Sequence, residues 1–319
     1  MRAGTQTVAA DALPLYKTPF IRVTEIWVPN EEGTHLVLAD GLFSGLDEFE
    51  RVARETRFAP DEGLPGKAWA AQRPIVLKDL VNSYFRRGAA AAAAGLTCAV
   101  AIPVFADALK GVLVLFCGDD ADHVGAIELW HASQGSYEMS FVDGYFGTAD
   151  SLEWAAKHML FMKGTGLPGE TWQRGQPVVF AELRGTRFLR FEKAEEVGIT
   201  RTIGIPVHTP APGDYVLTLL SAQSAPIARR VEIWTPDGVG GLMLTDGFCE
   251  MAGPLAGTSC RAALGEGTIG TAAATGVPAV SSDLERDDPS QAALSGLETL
   301  VALPVHTDGS GVTLAVWYL

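Results

Sequence analysis

Apolar and polar residues alternate near the start of the chain and predict a β-hairpin. Between Ile21 and Val28 the alternation is typical of a strand with one face in water. The segment from Pro29 to Gly33 supplies turn residues, and His35 to Ala39 predict the returning strand. Beyond the hairpin, apolar residues at helical spacing between Leu46 and Phe58 predict an amphipathic helix.

Short helices and strands are predicted in alternation over the residues that follow. Six consecutive Ala favour the second of two further helices, and Gly95 is placed to end it. The predicted elements are a short helix at Lys67–Gln72, a short strand at Pro74–Leu77, a helix at Tyr84–Ala94, and strands at Ala99–Val104 and Gly111–Phe116.

This order of elements occurs three times along the chain. The residues Trp27, Trp130 and Trp234 end equivalent Glu-Ile/Leu-Trp segments and lie 103 and 104 residues apart. An Asp-Gly pair, a Gly-rich segment and an Ile/Leu-Pro-Val segment follow each Trp in the same order. Several anchors at one spacing indicate a tandem repeat. We therefore predict three domains, with bounds at 20–118, 119–225 and 226–319.

The two later repeats predict the same elements with small differences. In the second, helices are predicted at Ser151–Met162 and at Arg187–Val197, the latter closed by Gly198. In the third, Asp288 and Pro289 are placed to start the late helix, and Gly296 to end it.

The three units resemble the GAF domain family. The resemblance rests on the opening Glu-Ile-Trp strand and on the Gly-Leu-Pro-Gly-x-x-Trp segments that end at Trp69 and Trp172. It also rests on the late Ile-Pro-Val and on the closing Gly-Val-Leu-x-Leu-Phe that ends at Phe116. The matching motifs occur in order over nearly the whole chain.

The resemblance implies a layered α+β fold in each of three tandem GAF-like repeats. Each repeat would have a central antiparallel sheet of about five strands, with helices on one face enclosing a small-molecule pocket. The family's long terminal helices have no room here, because few residues separate Phe116 from the next unit's first strand. Since the final strands are apolar throughout, both faces of each sheet need cover. We expect a compact pseudo-threefold arrangement of the units, or contact with a second copy in a homodimer.

Composition and charge narrow the classes of partner. The chain is 47% hydrophobic and 19% charged, which is typical of packed globular units, and no stretch is apolar enough to span a membrane. A net charge of −14 argues against nucleic acid or an anionic membrane as a main partner. The four Cys residues have no framework spacing, so we expect them to be reduced and the protein to be cytoplasmic.

The approach to the late helix holds the candidate ligand residues. Aligning the first two units pairs Tyr84 with Arg187, Phe85 with Phe188, and Arg87 with Arg190. An aromatic ring beside a guanidinium can bind a flat or anionic ligand. The alternative is a solvated helix start with its Phe buried. With the two Trp of the glycine-rich segments, the predicted ligand-binding residues are Trp69, Tyr84, Phe85, Arg87, Trp172, Arg187, Phe188 and Arg190.

Other recurring residues have simpler explanations. The three recurring Trp are predicted to pack in the core, and the Glu two residues before each to make a structural hydrogen bond. His208 and His306 follow equivalent Pro-Val pairs and are predicted to be turn residues, since neither has a second ligand at metal spacing. The acidic residues around Asp119 are predicted to form a solvated connector. The sequence does not identify a cofactor.

Three functions from different classes remain open. The first is a sensory or regulatory protein that binds a small molecule or a partner protein without catalysis, its output carried by a separate signalling protein. The second is a protein-interaction scaffold with filled pockets. The third is a small redox enzyme related to the free methionine sulfoxide reductases of the family. The last is disfavoured because Cys249 and Cys260 occur in the third unit only.

Overall fold

The computed structural model describes residues 19–119, 124–223, 225–256, 259–284, 297–307 and 311–319. The late helix expected at Asp288–Gly296 and most of the first connector lie outside these residues. The strands are β1 Ile21–Pro29, β2 Leu36–Leu42, β3 Arg57–Phe58, β4 Ile75–Leu77, β5 Cys98–Phe105, β6 Leu109–Cys117, β7 Gly125–Ala132, β8 Glu138–Tyr145, β9 Leu160–Met162, β10 Val178–Phe180, β11 Ile199–Val207, β12 Asp214–Ala222, β13 Arg230–Pro236, β14 Gly241–Cys249, β15 Gly253–Pro254, β16 Arg261–Ala263, β17 Ala279–Ser281, β18 Leu300–Thr307 and β19 Gly311–Tyr318. The helices are α1 Asp47–Glu55, α2 Gly63–Ala71, α3 Gly88–Ala93, α4 Asp150–Lys157, α5 Gly166–Arg174, α6 Phe191–Glu196 and α7 Gly267–Thr275.

Three antiparallel sheets share one topology. The first has the order β3-β2-β1-β6-β5-β4, and the second has the equivalent order when read from β9 to β10. The third runs β15-β14-β13-β19-β18-β17, with β16 also paired to β14. The predicted α+β repeats are therefore present, and the sheets have six, six and seven strands. The strands beyond the expected five are two- and three-residue edge strands, too short to show a periodic pattern.

The edge of each sheet explains why a Pro stands inside a core strand. The strand β4 pairs with Ala99, Val100 and Ala101 of β5 and then ends. Pro103 lies beyond the end of β4, so no strand on that side requires a hydrogen bond from its backbone nitrogen, which has no hydrogen. Pro206 and Pro304 occupy the equivalent places beyond β10 and β17.

The described helices are short, and several begin at other residues than predicted: α2 begins at Gly63 rather than Lys67, so the glycine-rich segment forms its first turn. Each has six to nine residues, in keeping with the expected lack of long terminal helices. The late helices α3 and α6 start at Gly88 and Phe191, because the preceding residues turn to bring Arg87 and Arg190 into the core. The helix predicted up to Met162 ends at Lys157, and β9 follows. None of the helices in the described segments is long and apolar enough to cross a membrane.

Each sheet is covered on both faces. One face packs against the helices of its own unit around Trp27, Trp130 or Trp234. The other faces of all three sheets meet in one central core, where Ile102, Ile205 and Leu303 are each about 1% exposed. The back faces therefore cover one another, as the compact pseudo-threefold arrangement requires.

The units form a closed ring about this core. Strand β4 contacts β8, β10 contacts β14, and β17 contacts β2, so each unit meets the next in the same way. Strands β5, β11 and β18 contact one another at the axis. The equivalent segments Ile102–Phe105, Ile205–His208 and Leu303–His306 line a small cavity there.

Candidate functional site

A buried carboxylate lies between the sheet and the helices of the first unit. Glu25 is fully buried on β1 and accepts a hydrogen bond of 3.0 Å from Trp27 Nε1. The guanidinium of Arg87 donates to both oxygens of Glu25, at 2.6 and 3.0 Å. The same guanidinium stacks 4.0 Å above the ring of Phe49. The sequence predicted a structural hydrogen bond for this Glu, and the structure confirms it.

The second unit repeats the arrangement almost atom for atom. Arg190 donates to the two oxygens of Glu128 at 2.5 and 2.7 Å, and Trp130 Nε1 donates at 3.0 Å. Thr218 adds a hydroxyl donor at 2.9 Å. Arg87 and Arg190 are only 8% and 4% exposed, so both guanidinium groups are buried and paired with a glutamate of their own unit.

The third unit builds its cluster from a different place in the chain. Arg230, two residues before Glu232 on β13, donates to that carboxylate at 2.5 Å. Trp234 and Tyr318 donate to the other oxygen at 2.8 and 3.1 Å. Burial raises the pKa of Glu232, and the neighbouring Arg230 opposes that shift. Here a strand, rather than the approach to a helix, supplies the cation.

Two of the predicted aromatic residues fill the interiors of their units. Phe85 is half-buried, with its ring centroid 6.4 Å from that of Phe49 and 5.5 Å from that of Phe116. Phe188 is 4% exposed and packs in the second interior under Arg190. A ligand bound by Phe85 and Arg87 would have to replace both the aromatic packing and the Glu25 contacts.

Of the other predicted residues, Tyr84, Trp69 and Arg187 lie nearer the surface, whereas Trp172 is buried at 8% exposure. Tyr84 is 43% exposed under the Lys67 ammonium, 5.2 Å from its ring centroid. Arg187 is exposed, 4.0 Å from Glu170. Trp69 is half-buried, and Trp172 donates to Asp214 at 2.9 Å. The structure thus separates the eight residues into a buried group and an outer group, and their ligand role stays a prediction.

The three interfaces of the ring are filled to different degrees. Between the first and second units, Lys78 Nζ lies 2.5 Å from Asp143 Oδ1. Between the second and third units, the Arg201 guanidinium lies 4.4 Å from the ring centroid of Phe248, and 3.0 Å from Glu250. Between the third and first units lies a cleft of about 580 Å³. Its lining includes Asp40, Thr268, Thr271, Ser281, Ser282 and Asp283.

The cysteines and histidines are placed as follows. All four cysteines are free, as the sequence predicted, and Cys98 lies opposite Cys117 across β5 and β6. Cys249 is buried at the end of β14. His208 and His306 both line the axial cavity, so the structure brings together two residues that lie 98 positions apart. Among the described residues, no group of three or more potential metal ligands occurs.

The fold and the buried clusters define a protein of three GAF-like α+β units closed into a ring. The sequence model of the GAF domain family matches residues 6–129. The first unit is therefore similar to GAF domains in sequence, and the two following units repeat its topology.

Solved structures similar to the chain come from several organisms. The GAF domain of the nlh2 protein of A. aeolicus, in an inactive state, is 23% identical, with 31% of this chain and 59% of that chain covered and a TM-score of 0.26. A free methionine-R-sulfoxide reductase of Neisseria meningitidis is 20% identical, with 30% and 52% covered and a TM-score of 0.24. The NreA protein of Staphylococcus aureus, mutated in its nitrate-binding site, is 13% identical, with 31% and 74% covered and a TM-score of 0.26. The chain spans between half and three-fifths of the first two proteins, and no curated protein matches it.

Proposed function

We propose that this protein is a regulatory binding protein of GAF type that performs no catalysis. It binds a small molecule or a partner protein, and a separate signalling protein carries the output. Recognition takes place between and around the three units, and the interiors of the first two units serve the fold.

One observation carries this proposal: the predicted binding arginines are already paired. Arg87 and Arg190 satisfy the fully buried carboxylates of Glu25 and Glu128. Removing one partner of such a pair leaves a buried charge alone, at a cost of about 3–5 kcal/mol. An anionic ligand that bound the same guanidinium would displace the glutamate. Its binding would then carry this cost, because the buried carboxylate would be left without its partner.

The scaffold alternative shares this observation. Filled interiors in the first two units agree with a protein that recognises other proteins on its outer surface. The redox alternative gains no support, since Cys249 is buried and Cys260 lies half-buried in a separate segment.

A double-mutant cycle on Glu25 and Arg87 tests the structural role of the pair. We expect Arg87→Met and Glu25→Gln each to lower the free energy of unfolding by about 3 kcal/mol. The double variant should lose much less than the sum, because neither charge is then left buried alone. Urea unfolding of the full chain at neutral pH measures all four proteins.

The neighbouring Arg86 provides the matched control. It pairs with Glu62 at 2.6 Å on the surface, so Arg86→Met should cost at most about 1 kcal/mol. If Arg87→Met were as mild as Arg86→Met and additive with Glu25→Gln, the guanidinium would be available to a ligand. The predicted site at Phe85 and Arg87 would then be favoured over this proposal.

A further inference from the structure

One interface of the ring has small side chains where the other two have large ones. On α7, Thr271 takes the place of Lys67 on α2 and Glu170 on α5. At the end of β17, Ser281 takes the place of Leu77 on β4 and Phe180 on β10. Facing them, Leu42 stands where the equivalent interfaces have Tyr145 and Phe248. The smaller residues Leu42, Thr271 and Ser281 all line the cleft between the third and first units.

The filled first interface shows what the equivalent carboxylate in the cleft can bind. Asp143 accepts from the Gly144 amide at 2.9 Å and also pairs with the Lys78 ammonium at 2.5 Å. Asp40 is the equivalent residue and accepts from the Gly41 amide at 2.8 Å. The residue equivalent to Lys78 is Ser282, which is too short to reach across the interface with a charge.

The chemistry of the lining selects against anions. Among the described residues that line the cleft, the charged ones are Asp40 and Asp283, and Thr268, Thr271, Ser281 and Ser282 add hydroxyls. Carboxylate and hydroxyl oxygens accept hydrogen bonds from an ammonium group. A volume of about 580 Å³ is that of a site for a small organic molecule, and it greatly exceeds the roughly 30 Å³ of one water.

We propose that this cleft binds a small organic molecule carrying a primary ammonium group. The ammonium lies against Asp40 as the Lys78 ammonium lies against Asp143, and the hydroxyls hold the remainder of the molecule. The inference rests on the proposed function, since it gives the binding protein a ligand class and a place for it between two units.

Calorimetric titration of the full chain with n-butylamine and cadaverine tests the site, with n-butanol as the uncharged analogue. We expect the amines to bind and the alcohol not to bind. Asp40→Asn should weaken amine binding roughly fivefold, the factor for losing a partly exposed ion pair. Ser282→Lys should abolish it, because the new side chain supplies an ammonium to Asp40 from within the protein.

Asp246→Asn is the matched control. Asp246 makes the same bond to its following Gly amide, at 2.8 Å, on the interface that Phe248 and Arg201 fill. Its substitution should leave amine affinity unchanged. Equal binding by wild type and Asp40→Asn, no binding of either amine, or binding of Ca²⁺ in place of the amines would each overturn the proposal. These results leave the Glu25–Arg87 cycle untouched, so the two tests fail separately.

Discussion

At the scale of single residues, the residue after each Ile/Leu-Pro-Val segment determines the lining of the pseudo-threefold axis; His306, predicted to be a turn residue, lies on β18 and pairs with Val312. The first unit has Phe105 there, and the other two have His208 and His306. Burial lowers the pKa of His306, with Lys110 and His208 adding repulsion and the Gly276 backbone opposing the shift. A depressed histidine pKa means that the folded protein binds this proton less readily than the unfolded chain.

This difference makes stability depend on pH. Above the unfolded pKa of about 6.5 the imidazole is neutral in both states, and its full contribution is present. As the pH falls below that value the unfolded chain takes up the proton first, so stability declines. We expect His306→Phe, which installs the residue of the first unit, to lose less unfolding free energy between pH 7 and pH 5 than wild type does. Urea unfolding at both pH values measures this, with the exposed His35→Gln as control; equal losses in all three proteins would refute it.

At the residue scale, the sequence predicted the Glu–Trp part of each buried cluster but not the Arg that pairs with the Glu. The Glu-x-Trp spacing predicted a shared structural bond on β1, because residues two apart on a strand share a face. It gave no sign that Arg87, 62 residues later, completes the cluster. The aromatic–guanidinium pattern at Phe85 and Arg87 suggested a ligand, since a buried ion pair and a ligand clamp use the same residue types. The hydroxyls and Asp40 of the cleft went unrecognised because they come from two units that meet only after folding.

At the scale of elements, one glycine in each unit allows a helix to lie against a strand end. A Cβ on Gly66, Gly169 or Gly270 would lie well inside van der Waals contact with the carbonyl oxygen of Ala59, Met162 or Ala263. The carbonyl oxygen of the same glycine also accepts a hydrogen bond of 2.7 to 2.8 Å from a backbone N–H in all three units. The glycine-rich segments that mark the repeat therefore recur because helix and chain approach this closely.

Substituting these glycines should reveal the close approach. Helix propensity alone would make Gly→Ala favourable by up to about 1 kcal/mol in a helix interior. We expect Gly66→Ala and Gly169→Ala instead to lower the free energy of unfolding by about 2 kcal/mol or more, because the helix must move away from the strand. Thermal and urea unfolding measure the change, and its sign alone separates the two explanations. Stabilised variants would show that the contact is loose.

The elements themselves were largely predictable where they are long. The hairpins and the paired final strands follow the expected order, because their alternation extends over enough residues. The short strands β3, β9, β15 and β16 and the late starts of α3 and α6 were not predictable. Tertiary contacts fix them: β9 forms against β8, and the chain before α6 turns to deliver Arg190 to Glu128.

At the scale of the whole molecule, three interfaces of one kind close the ring and bury the back faces of the sheets. The compact arrangement predicts a radius of gyration of about 20 Å for 319 residues. Small-angle X-ray scattering of the purified chain measures it directly. A substantially larger value, with a profile of three extended beads, would show that the units separate in solution. The same experiment reports whether the chain forms a homodimer.

The ring lies on a single chain, and this determines how its interfaces can differ. In a trimer of identical subunits, any substitution at a contact appears three times, and all three contacts change together. In this chain, Lys78 belongs to one interface, Phe248 to another and Ser282 to the third, so each interface has its own composition. With one such cleft among the described residues, the proposed complex contains one amine per chain. Binding at this one cleft would follow a simple hyperbola, with no cooperativity among the three units of one chain.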